Sequence, residues 1–131
     1  MRTIGLIGGM SWESTALYYR WINEAVRDAR GANHSAPLLL HSFDFELIKA
    51  MQMRGEWEAM GELLARAAQG LERAGAEAIV ICTNTMHKLA GEVSAAVSVP
   101  LIHLADATAR AIGEAGHDNV ALLGTRFTME E

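Results

Sequence analysis

Cys82-Thr83-Asn84-Thr85-Met86-His87 sets a thiol, two hydroxyls, an amide and an imidazole within six consecutive positions, directly after the most hydrophobic run of the chain. Hydroxyls and an amide can orient a small polar molecule, an ionised thiol can take up a proton, and an imidazole can hold a carboxylate or tune a thiol. Ala78-Ile79-Val80-Ile81 has the composition of a buried parallel strand, and in open α/β sheets ligands bind where such strands end and helices begin. A second cluster is Gly8-Gly9-Met10-Ser11, where glycines let the backbone approach a ligand and the free amides of a following helix favour a carboxylate or phosphate. It is neither the Gly-x-Gly-x-x-Gly fingerprint nor the Gly-x-x-x-x-Gly-Lys-Ser/Thr loop, so nucleotide binding has little support. Gly124-Thr125 is a third and weaker turn of this kind. A glycine turn that only starts a helix, or a string of turn and cap residues, would read in the same way.

These turns need strands and helices to place them. Ile4-Gly5-Leu6-Ile7 reads as the first strand. Leu17, Tyr18, Trp21, Ile22, Ala25 and Val26 then recur every three or four residues, predicting a helix with Ser11 as its N-cap and that face on a sheet. Pro37 to Ser42 supplies a second strand. Trp57, Met60, Leu64, Ala67, Ala68 and Leu71 form the stripe of a helix ending at Gly75. The third strand runs to about Cys82, and a helix from about Met86 carries Leu89, Ala90 and Val93 inward. Val99-Pro100-Leu101-Ile102 is a short fourth strand, Leu104, Thr108, Ala111, Ile112 and Ala115 trace a further helix, and Val120-Ala121-Leu122-Leu123 begins a fifth strand. Alternating strands and helices predict an α/β fold, an open parallel sheet with flanking helices. Thr128-Met129-Glu130-Glu131 fits a Ser/Thr-x-x-Glu capping box whose helix does not follow, so the chain reads as cut from something longer.

Composition bounds the function. The 131 residues are 50% hydrophobic and 21% charged, enough for a real core, and the formal charge of -5 offers no basic stripe to nucleic acid or to an anionic membrane. A small-molecule partner is expected. One cysteine excludes an internal disulfide framework and a thiolate metal cluster and fits a reducing cytoplasm. The first residues are apolar for too short a run to be a signal peptide, and no later run could span a bilayer.

Ile4-Gly5-Leu6-Ile7-Gly8-Gly9-Met10-Ser11, Thr83-Asn84-Thr85-Met86-His87 and Gly124-Thr125 together resemble the cofactor-independent aspartate/glutamate racemases, and the similarity runs through the whole chain. The resemblance implies two pseudo-symmetric α/β domains facing across a cleft, with a cysteine from each on either side of the substrate α-carbon, no cofactor and no metal. It makes residues 1–100 the first domain and 101–131 the start of the second. The family's Cys-Asn-Thr-x-His motif is met here by Thr83-Asn84-Thr85-Met86-His87, so Thr83 and not Cys82 holds the catalytic position. The second motif, of Gly-Cys-Thr-Glu type, has no counterpart in the chain. This departure is similar to a bacterial subgroup in which threonine replaces the first cysteine and racemisation favours the L-enantiomers. That likeness extends through His41-Ser42-Phe43-Asp44-Phe45, Arg54-Gly55-Glu56-Trp57 and Thr125-Arg126-Phe127-Thr128. In motif register Met10, Gln52, Thr83, Asn84, Thr85 and Thr125 are the implied substrate contacts, with Cys82 and His87 as auxiliary candidates. Relatives of this kind imply a homodimer.

Other readings stand beside this one. Successive strand side chains alternate faces, which makes Cys82 a buried thiol if the strand continues through it. Gln52 also reads as a loop amide, and His87 as a cap of its own helix. Lys49, Arg54 and Arg126 are cations able to meet a distal carboxylate, or solvated surface charges. Besides a racemase, the chain fits a non-catalytic dicarboxylate- or amino-acid-binding domain. A decarboxylase or cis-trans isomerase of the same fold is weakened by the absence of cysteine at position 83.

Overall fold

The computed structural model describes residues 1–130, and among them a four-stranded parallel sheet forms the central layer. The strands are β1 (Ile4–Gly8), β2 (Leu38–Ser42), β3 (Ala78–Ile81) and β4 (Leu101–Ile102), in the order β2-β1-β3-β4. The central strands β1 and β3 are apolar on both faces, so each face has to be covered. Leu6, Val80 and Cys82 lie on one face with Tyr18 and Ile22 of α1 (Trp12–Arg30). Ile7, Ile79 and Ile81 lie on the other, in the main core with Met60, Leu64, Ala67, Ala68 and Leu71 of α3 (Trp57–Arg73).

This alternation follows from the pleat, since residues two apart share a face. The chain passes from β1 to β2 through α1, then returns through α2 (Phe45–Arg54) and α3 to place β3 on the far edge of β1. The connections therefore diverge between β1 and β3, and the crevice at their C-terminal ends is the topological switch point of the sheet. Beyond β3 come a 3₁₀ helix (Thr85–Leu89), α4 (Ala90–Ala95), β4, α5 (Leu104–Glu114) and a short α6 (Arg126–Glu130).

The α/β class and the α3 stripe stand as read from the sequence, whereas several details differ. On α1 the sheet-facing stripe is Thr15, Tyr18, Ile22 and Val26; Leu17, Trp21 and Ala25 are exposed on its flank. Thr15, a polar residue, is the most buried member of that stripe. Ser11 stands at the N-cap of α1, but its side chain makes no cap bond. Helix α2 was not anticipated, because its single buried residue, Ile48, gives almost no apolar period. It is set instead by its ends: Asp44 accepts the Glu46 amide at 3.1 Å, and Gly55 closes it with a left-handed φ of 72°.

The fifth strand expected at Val120–Leu123 does not form among the described residues. Its side chains are exposed, Leu123 to 89%, with no neighbouring strand to pair with. The capping box expected from Thr128 depends on Glu131, which lies outside the described residues. Helix α6 is already under way at Thr128, whose amide is held by the Thr125 hydroxyl at 3.3 Å. No helix of the described residues is long and apolar enough to cross a membrane.

Candidate active site

The turns that leave β1 and β3 are neighbours because these strands pair in register, from Ile4 with Ala78 to Ile7 with Ile81. Two hydroxyls in the first turn of α1 tie them down. Ser14 Oγ donates to the Cys82 carbonyl at 2.9 Å, which joins one turn to the other. Buried Thr15 accepts the Gly9 amide at 2.9 Å and donates to the Ser11 carbonyl at 3.0 Å. Glycine is required here by contact: a Cβ on Gly8 would stand 2.5 Å from Thr15 Cγ2, and one on Gly9, where φ is 84°, would strike the Phe43 backbone. Neither hydroxyl was singled out from sequence, although Ser/Thr one turn beyond a Gly-Gly pair is a readable signal.

Thr83 is half-buried just beyond the end of β3 and is not among the residues that line the adjoining cavity, and among the described residues no hydrogen bond occupies its hydroxyl. Asn84 is exposed beside it. Thr85 sits in a cluster of three hydroxyls, 3.2 Å from Thr125 and 3.3 Å from Thr128, with Thr125 and Thr128 3.1 Å apart. The fold thus brings together Thr85 and Thr125, forty positions apart, and adds Thr128 to them. His87 lies against the same turn: its Nδ1 is 2.8 Å from the Thr83 carbonyl and its Nε2 accepts the Leu104 amide at 3.2 Å. A cavity of about 490 Å³ opens on this side, lined by Asn84, Thr85 and His87, by Leu104, Thr108 and Ile112 of α5, and by Phe127 and Thr128 of α6.

The other two implied contacts are placed differently. Met10 is 5% exposed and belongs to the main core cluster, beneath the glycine turn. Gln52 is half-buried on α2 and does not line the cavity.

Residues 7–131 match the family of Asp/Glu/hydantoin racemases. The chain belongs to that family. This racemase-family chain is similar over its whole length to a Yersinia pestis protein assigned as an Asp/Glu racemase, with 53% identity and a TM-score of 0.95, covering 57% of that protein. An aspartate racemase homologue from Pyrococcus horikoshii matches 88% of the chain at 36% identity and a TM-score of 0.80, with half of its own length covered. The aspartate racemase of Picrophilus torridus shares the fold, with a TM-score of 0.79 at 22% identity over 98% of the chain and 54% of its own. The chain therefore spans about half the length of these solved relatives.

Thiol chemistry in this racemase-family chain is limited by where its one cysteine lies. Cys82 is fully buried with Leu6 and Val80, and burial pushes its thiol from an ordinary 9.0 up to about 12, so it is protonated near neutrality. Cys82 and Thr83 are thus adjacent in sequence but differ in access. Of the cations weighed from sequence, Arg54 makes a two-pronged pair with Glu56 at 2.6 and 2.9 Å, and Lys49 approaches Glu46 at 3.8 Å. Arg126 stacks over Phe127. Asp44, which would repel a substrate carboxylate if it faced the cleft, is occupied as the N-cap of α2. Among the described residues no three His, Cys, Asp or Glu side chains are placed to hold a metal ion.

Proposed function

We propose that this chain supplies one half of a cofactor-independent racemase site for aspartate or glutamate, with Thr83 on one face of the substrate α-carbon. The observation that carries the reading is the place of Thr83, a half-buried residue just beyond the end of β3 at the switch point, next to a sole thiol that is buried and protonated. Racemisation without pyridoxal removes a weakly acidic α-proton on one face and returns one on the other, so two facing groups are needed. A thiolate is a competent base, and a threonine hydroxyl is a far poorer one. The second group is then a cysteine of a second α/β domain, into which residues 101–131 lead from the first domain of residues 1–100. That thiolate takes the α-proton as S–H and leaves the electron pair on the α-carbon; the Thr83 hydroxyl donates a proton to the opposite face and is reprotonated from solvent. Asn84, Thr85 and Thr125 shape the substrate side of this half, with Met10 packed in the core beneath the glycine turn and Gln52 outside the cavity. Exposed Trp12, Tyr19 and Trp21 on α1 support a homodimer.

The test is proton NMR of L- and D-aspartate and glutamate in D2O with the full-length protein, following the α-proton together with chiral analysis. Exchange with inversion, faster from the L-enantiomers, is expected, and Thr83→Cys should raise the rate on the D-enantiomers. Equal loss on both enantiomers in that variant counts against the account. The 131-residue chain alone should bind substrate without exchanging its α-proton. Binding without exchange in the full-length protein would instead favour a non-catalytic amino-acid-binding domain.

A further inference from the structure

His87 bridges two elements that the sequence keeps apart. Its Nδ1 is 2.8 Å from the Thr83 carbonyl, and its Nε2 is 3.2 Å from the amide of Leu104, the first residue of α5. A carbonyl oxygen can only accept and a backbone amide can only donate. One protonation state satisfies both contacts: neutral imidazole with its proton on Nδ1 and its lone pair on Nε2. The imidazolium would turn an N–H toward an N–H and leave the Leu104 amide without its acceptor.

Burial and the neighbouring positive groups favour the neutral ring, against the backbone bonds at Thr83 and Asn84. The N-terminal end of the 11-residue α5 presents partial positive charge. His103, at the N-cap of α5, stacks edge-on with ring centroids 4.5 Å apart, its own Nδ1 accepting the Ala105 amide at 3.2 Å. Lys88, from the same 3₁₀ helix, borders the same cavity. Among the described residues that line that cavity, the titratable side chains are His87, Lys88 and His103, and none of these is a carboxylate. Burial lowers the His87 pKa below its ordinary 6.5, opposed in part by the bond to the Thr83 carbonyl and aided by His103.

We propose that His87 is a positioning residue: its neutral imidazole clips the Thr83 turn to the first turn of α5, and protonation opens the clip. The structural part stands on the two hydrogen bonds alone, while its effect on turnover rests on the racemase reading above. The clip joins the turn bearing the Thr83 hydroxyl to a wall of the adjoining cavity, so opening it misplaces a group whose position relative to the α-carbon governs rate.

Long-range proton–nitrogen NMR of the imidazoles in the full-length protein tests the clip directly. The expected result is a proton on Nδ1 of His87 at neutral pH and a titration below 6.5; an Nε2–H tautomer, or a titration at or above 6.5, overturns it. The kinetic test compares wild type with His87→Asn, which keeps an N–H for the Thr83 carbonyl but cannot titrate and offers Leu104 no ring nitrogen. Wild type should lose kcat with little change in KM as pH falls through the His87 titration. His87→Asn should start roughly tenfold lower in kcat and lack that acid limb. A variant with wild-type kcat and an unchanged acid limb refutes the positioning role. Absence of α-proton exchange by wild type at every pH would refute the racemase reading instead, leaving the NMR result to decide the clip.

Discussion

Cys82 and Thr83 show how one peptide bond separates a fully buried residue from a half-buried one. The Cys82 thiol fills space between Leu6, Val80 and the face of α1, whereas the next residue lies beyond the strand and is half-buried. A thiol-specific reagent at pH 8 should leave Cys82 unmodified in the folded protein and modify it after denaturation in urea; labelling at the rate of a free thiol in the native state would contradict this burial. The same burial has a pH consequence. A folded-state pKa of about 12 against an ordinary 9.0 means that between these values the folded state holds a proton the unfolded state has released. This contribution to stability is whole below pH 9 and is lost as pH rises toward 12. For His87 the sign reverses. Its lowered pKa gives stability present above pH 6.5 and lost on acidification, because the unfolded chain takes up the proton first. Chemical denaturation at pH 7, 10 and 11 should show the alkaline decline in wild type, and Cys82→Ala should flatten it.

At the scale of the element, the glycine turn after β1 depends on a residue one turn into α1. Thr15 satisfies the Gly9 amide, which would otherwise be buried without a partner. Thr15→Val keeps the shape and removes the acceptor, so it should destabilise the fold by about 1–3 kcal/mol, with Thr15→Ser recovering most of the loss. Urea midpoints of the two variants at unchanged m-value measure this; equal midpoints would show that the hydroxyl bond contributes nothing. Helix α2 carries a different lesson. Phe45, Leu47 and Met53 are exposed and Ile48 alone is buried, so hydrophobic spacing does not mark it. The cap signals, Asp44 before it and Gly55 after it, were legible one residue at a time and became a helix only when both were seen to close the same ten residues.

For the whole molecule, burial falls away beyond the sheet. The central strands β1 and β3 are packed on both faces, while α5 buries none of its side chains and Ile102, Val120, Leu122 and Leu123 stand exposed. Apolar surface of this extent on a chain spanning about half of its solved relatives should bind a hydrophobic dye such as ANS. On the reading proposed above, a form carrying a second α/β domain should bind markedly less dye. Equal dye binding by both would mean that this face stays open in the larger protein.

Composition and periodicity alone determined the α/β class, the two-sided burial of the central strands, the α3 stripe and the positions of the glycine and threonine turns. These are local or period-bound properties, and each residue carries them wherever the chain goes. Which turns meet is another matter. Strand order places Gly8–Ser11 beside Cys82–Thr83, and chain return brings Thr85 within 3.2 Å of Thr125. The pairing of His87 with Leu104, seventeen positions away, and hence the proton on its Nδ1, is a product of the same return. The missing fifth strand shares that cause: Val120–Leu123 has the residues of a strand, but a strand exists only through the backbone bonds of a neighbour, and none adjoins it among the described residues.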